Sequence, residues 1–227
     1  MIIMSYLQLL KFMSFYVDFC CLVGYLLLTL AMARRNYNEL NSICYLLILT
    51  FISNQIASYC GMYFRNSSPV FHIFAPLQFC FLGWFFYRNL EAGPVRKSIP
   101  YLVLLVIIFS VINLVFFQEF KIYPSNTILL KTLLLIILAT VLFIEKLDMP
   151  VAQNIFKYPV FLAAVAILSF NLFSFAFFLL TNYFDKNRIY KFNSIMNIHH
   201  FSNFIYYTTI TIASFYSLKI SKSLAKN

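Results

Sequence analysis

Seven long apolar runs, separated by short polar links, constrain this chain more than any other feature. A bilayer's hydrocarbon core takes about 20 helical residues to cross. The runs cover residues 13–33, 40–64, 70–90, 99–118, 127–144, 159–182 and 196–220, and each is of about that length. Hydrocarbon offers no water to backbone N–H and C=O groups, so a segment of this kind satisfies them internally as a helix. The expected fold is therefore all-α: a polytopic membrane protein of seven transmembrane helices in one bundle. No link is long enough to hold a soluble domain, so residues 1–227 are read as a single domain.

Composition agrees with that reading. Hydrophobic residues make up 62% of the chain and charged residues 11%, against about half and a quarter in soluble domains. The net charge is +10. The basic residues sit singly or in pairs between apolar runs, which is the pattern of topology signals and argues against nucleic-acid binding. The first run, Met13–Ala33, stops at Arg34-Arg35 with no small-residue cleavage site in the usual place. It is read as a retained helix, not a removed signal peptide. There are only four glycines, which favours continuous helices packed through Leu, Ile and Phe. Pro100 is expected in the first turn of the fourth span, where a missing N–H costs little. The five cysteines, Cys20, Cys21, Cys44, Cys60 and Cys80, are odd in number and form no CxxC pair. They read as small buried hydrophobes.

Lys and Arg in alternate links set the orientation. One side holds Arg34, Arg35, Arg88, Arg96, Lys97, Lys146, Lys157, Lys219, Lys222 and Lys226; the other holds Lys11, Arg65, Lys121, Lys186, Arg188 and Lys191. The richer side should be cytoplasmic, placing the N-terminus out and the C-terminus in. The loop 183–194 counts against this assignment. An inner basic surface of Arg34, Arg35, Arg96, Lys97, Lys219 and Lys222 would meet anionic lipid or a cytoplasmic signalling protein.

In that topology most of the strongly polar residues within spans gather in the outer half, with Asn171 near the middle of the sixth. Asp18, Gln55, His72, Asn113, Asn171, His200, Asn203 and Tyr207 are the candidates for an outward-facing pocket with aromatic walls. Two readings stand side by side. These groups either line a ligand pocket, or they are interhelical glue and side chains reaching the headgroups. Within the last run, His200, Asn203 and Tyr207 fall on one helical stripe. His199 and His200 point about 100° apart, so they do not share an ion easily. A metal site would instead pair His72 with one of them. No metal and no cofactor is expected.

The sequence contains no HExxH, GxSxG, Gly-rich phosphate loop or HxE…CxxC. Asp18 is the one acidic residue inside a span, which removes paired intramembrane carboxylates. The expectation is a non-enzymatic protein.

The runs FHIFAPLQFCFLGWFFYRNL (71–90) and HHFSNFIYYTTITIASFY (199–216), set in this topology, resemble small seven-helix inner-membrane proteins of Bacteroidota without a soluble domain, some of which sit beside sensor kinases. That resemblance implies an inner-membrane location and a sensory or partner-binding role, and transfers no site residue. The expected function is an integral membrane sensor or signalling partner. The alternative is a subunit of a larger membrane complex, or a small transporter or channel, with the lipid bilayer and possibly other membrane proteins as partners.

Overall fold

The computed structural model describes residues 2–33, 39–147, 158–186 and 192–224. Among these every regular element is an α-helix: α1 (Ile2–Ala33), α2 (Asn41–Phe64), α3 (Ser68–Asn89), α4 (Pro94–Phe116), α5 (Ser125–Leu147), α6 (Pro159–Lys186) and α7 (Phe192–Leu224). Six of them, α1 to α6, contain stretches long and apolar enough to cross a membrane. The fold is that of a multi-pass helical membrane protein.

The helices outrun the apolar windows. α1 begins at Ile2 instead of residue 13, and α7 reaches from Phe192 to Leu224 instead of 196–220. Hydropathy marks the part of a helix that suits hydrocarbon, whereas the backbone ladder continues past it. α7 is long enough to span but is not among the six apolar helices. Thr208, Thr209, Thr211, Ser214, Ser217 and Ser221 lower its hydropathy, although several of these hydroxyls are already satisfied. Thr208, Thr209, Thr211 and Ser214 donate to the carbonyls of Phe204, Ile205, Tyr207 and Ile210 four residues back, at 2.7–2.9 Å. Such back-bonding lets a hydroxyl sit in an apolar setting. Pro100 also falls later than expected. α4 starts at Pro94, so Pro100 lies in its second turn.

Consecutive helices run antiparallel. Asn54 meets Asp18 across α1 and α2, Tyr45 stacks on Trp84 across α2 and α3, and Phe143 lies on Phe161 across α5 and α6. α1 and α7 run parallel, since Tyr16 pairs with Thr208, Cys20 with Thr211 and Ala31 with Ser221. α1, α2, α3, α5, α6 and α7 form a closed ring of neighbours, and α4 packs outside it against α3 and α5. The upper end of the bundle is defined here as the end where α1, α3, α5 and α7 begin.

α4 is bound to the bundle along one seam. Its buried residues are Ile99, Val106 and Asn113, one every seven positions, while Tyr101, Leu104, Ile108, Val111 and Phe116 are exposed. Gly83 of α3 allows this approach, because a Cβ there would stand 3.0 Å from Val103. The ring's interior is filled by Phe79, Leu82, Phe86, Leu135, Leu138, Tyr206 and Ile210. The expectation of packing through Leu, Ile and Phe omits one contributor: α6 presents Ala163, Ala164 and Ala166, all buried, and small residues let helix backbones come close. All five cysteines are free.

The lower end is tied by polar contacts. Asn89 donates to the carbonyls of Glu39 (3.0 Å) and Phe85 (2.8 Å), and Glu145 accepts from the N–H of Glu91 (3.0 Å). Tyr158 donates to Glu39 Oε2 at 3.4 Å. Burial, and then the adjacent Glu39 carboxylate, push the Tyr158 phenol up to about 12. An ordinary tyrosine titrates near 10. The folded protein therefore holds this proton more tightly than the unfolded chain. The stability it contributes is fully present below about pH 10 and is lost as pH rises towards about 12. Thermal unfolding of wild type and Tyr158→Phe, compared across pH 8 to 12, should show a gap that is constant to about pH 10 and narrows above it. A pH-independent gap would contradict the assignment.

Candidate functional site

The sequence-predicted residues fall into four separate settings. The first joins α1, α2 and α7 in the upper half. Asp18 lies on α1, and its two carboxylate oxygens accept from Asn54 Nδ2 (2.9 Å) and Gln55 Nε2 (2.7 Å) of α2. The antiparallel hairpin brings these together because both lie equally far from the link between the helices. On the α7 side, Tyr16 and Thr208 are 3.4 Å apart and the Tyr16 ring stacks on Phe204. Tyr207 is buried against Tyr206.

Asp18 opens onto a groove of about 470 Å³ between α1 and α2. Ser14, Asp18 and Gln55 supply its polar part, and Phe15, Phe19, Leu22 and Phe51 its walls. Phe15, Asp18, Phe19 and Leu22 follow the i, i+3, i+4, i+7 stripe of one helix face. Phe15 is 71% exposed and Phe19 55%, so the groove lies on the flank of the bundle, not along its axis.

The second setting closes the upper turn between α4 and α5. Asn113, fully buried, donates to Gln118 Oε1 (2.9 Å) and Thr127 Oγ1 (3.2 Å), and its own oxygen accepts from Asn126 (3.1 Å). Gln118 in turn donates to Ser125 Oγ (2.8 Å). His72 of α3 reaches the same turn, where its Nε2 lies 2.8 Å from the carbonyl of Ile122 and its ring meets Phe120 edge-on. A carbonyl can only accept, so this contact places the proton on Nε2. Both residues have side-chain or backbone partners within that turn.

Asn171, the third, donates back to the carbonyl of Ile167 in its own helix at 2.7 Å. The fourth is α7, where His200 and Asn203 are half-buried.

Lys131 and Gln78 lie outside the candidate set. Lys131 is 5% exposed, and its ammonium donates to Gln78 Oε1 across α5 and α3. Asn54 was also left out, though it binds Asp18 as Gln55 does. Its signal was available, because Asn54 and Gln55 are consecutive and the hairpin places both opposite Asp18.

Of the basic surface, Arg96 lies over the Tyr87 ring at 4.9 Å, and Lys97, Lys219 and Lys222 are exposed at the lower end. Arg34 and Arg35 lie outside the described residues. Among the described residues no three His, Cys, Asp or Glu side chains gather in a group able to hold a metal ion.

Compared with protein-family models, curated proteins and solved structures, the chain matches none of them.

Proposed function

We propose that this protein is a non-enzymatic sensor or signalling partner of the inner membrane, spanning it seven times with the N-terminus outside and the C-terminus inside. The groove beside Asp18 is its recognition site. One observation carries the reading: an aspartate at membrane depth, held by two amides, opens sideways between exposed aromatic walls. Ionisable groups in spans are costly and mark functional positions by default. The count of seven crossings draws support from the parallel course of α1 and α7, which fits the five helices, an odd number, between them. The orientation draws on Lys97, Lys219 and Lys222 sharing the lower end.

The test is a transcript profile of a strain lacking the gene. A sensor's loss changes a defined set of transcripts, and a strain carrying Asp18→Leu with Gln55→Leu should reproduce that set while the protein stays in the membrane at wild-type level. Transcripts unchanged by the deletion would overturn the sensory role, and full function of the double variant would overturn the groove.

A second reading rests on α4. Its outward face is apolar and exposed over most of its length, as a subunit contact in a larger complex would be. Stoichiometric chains co-purifying in mild detergent, and lost when α4 carries Leu104→Arg, would favour that reading.

A further inference from the structure

The groove at the α1–α2 seam has a chemistry that selects its occupant. Among the described residues, the Asp18 oxygens accept from the neutral amides of Asn54 and Gln55, and no cation completes the set. The walls, Phe15, Phe19, Leu22 and Phe51, are apolar. The occupant must therefore be apolar along its length and carry one positive charge at the level of Asp18.

Depth separates the possible sources of that charge. The first apolar run begins at Met13, five residues above Asp18. At 1.5 Å per residue this puts the carboxylate about 7.5 Å below the start of that run. A lipid ammonium resides at the headgroup level, above that depth. A lysine or arginine on a membrane-spanning helix presents its charge there on an apolar stem. A second copy of this chain has no such residue to offer from the middle of its described spans, because Lys131 is buried against Gln78. The groove between two helices is also the shape into which a third helix packs.

We infer that the α1–α2 groove docks a transmembrane helix of a different protein, through a lysine or arginine set about one and a half turns below the membrane face and paired with Asp18. This rests on the proposed reading of the groove as the recognition site and names the partner's chemistry. Asn54 and Gln55 orient the carboxylate, and the two phenylalanines pack along the docked helix.

The experiment uses the full chain in phosphatidylcholine nanodiscs. The probes are synthetic polyleucine helices of about 20 residues, labelled for energy transfer, with lysine, leucine or glutamate at the sixth apolar position. The lysine peptide should bind about tenfold more tightly than the leucine peptide, a difference of about 1.4 kcal/mol, and the glutamate peptide more weakly than either. Asp18→Asn should remove the lysine preference. Phe19→Trp, which fills the groove and leaves the charge in place, should weaken both the lysine and leucine peptides. Moving the lysine to the twelfth position should also abolish the gain. Equal binding of the lysine and leucine peptides, a preference that survives Asp18→Asn, or competition by phosphatidylethanolamine in place of phosphatidylcholine would overturn the inference. The sensory role is judged separately by the transcript profile, so either can fail without the other.

Discussion

Replacing Gln78 by leucine should destabilise the folded protein by about 3 kcal/mol, the scale on which a buried charge loses its partner. Lys131 is 5% exposed and its ammonium donates to Gln78 Oε1. Leucine keeps the volume but offers no acceptor, leaving a lysine inside a span, where a bare charge costs about 2.5–3.5 kcal/mol. Lys131→Met alone should cost less, about 1–2 kcal/mol, because the group stranded is then a neutral amide. The double variant removes both demands and should return to within about 1 kcal/mol of wild type. Thermal unfolding of the four proteins in one detergent gives the cycle. If Gln78→Leu unfolds like wild type, the ammonium has another route to solvent or headgroups, and the pairing is incidental.

That contact shows where sequence reading stops. Lys131 was visible as the one lysine well inside an apolar run, and Gln78 as a polar residue in another. Their meeting depends on α3 and α5 being neighbours, with α4 displaced to the outside. A hydropathy profile orders helices along the chain and says nothing of which ones touch. The Asp18–Gln55 pair is different. α1 and α2 are joined by a short link, so an antiparallel hairpin puts residues equidistant from that link side by side, and Asp18, Asn54 and Gln55 follow from arithmetic. His72 and Asn113 lie at the same end of the bundle, as equal depth requires, but depth does not reveal partners. His72 is taken up by a backbone carbonyl, and Asn113 by the turn that follows it. Neither kind of partner leaves a mark in the pattern of residue types.

The fold was more legible than the site because the bilayer fixes the length of each apolar segment while leaving the lateral arrangement free. α1 to α6 lie where the runs place them, to within the ends of the helices. α7 needed two signals to be read together. Its run is long enough, yet its hydroxyls lower its hydropathy, and those of Thr211 and Ser221 are satisfied on its own backbone and on α1. The peripheral place of α4 became visible only in the structure, where its middle turns Tyr101, Leu104, Ile108 and Val111 outward. The heptad spacing of Ile99, Val106 and Asn113 then marks the single line along which it packs.

Gly24→Phe should be the most damaging single change at the α1 seam, at about 3 kcal/mol, the upper part of the usual cost of overpacking. A Cβ at this position would stand 2.9 Å from Leu47 Cδ1 of α2, and 3.6 Å from both Ser214 Oγ and Thr211 Oγ1 of α7. Gly24 is thus where α1 meets two neighbours at once. Alanine is a different case. The nearest atom is the end of a flexible leucine, which can shift, and the gain in helix propensity is about 1 kcal/mol. Gly24→Ala should therefore lie within about 1 kcal/mol of wild type. Phenylalanine has no such outlet, because its ring must part α1 from α2 or from α7. Combining it with Leu47→Ala should recover about 1–2 kcal/mol of the loss by opening the α2 side. Gly61→Phe is the control, since nothing lies within 4 Å of a Cβ there, and it should leave stability unchanged. The same wedge should disturb recognition, because Asp18 stands less than two turns above Gly24 and keeps its orientation only while Asn54 and Gln55 stay close. In the nanodisc assay Gly24→Phe should lose the preference for the lysine peptide even at temperatures where the protein remains folded. A stable Gly24→Phe protein that still prefers lysine would show that the seam tolerates separation and that the Asp18 site does not depend on it.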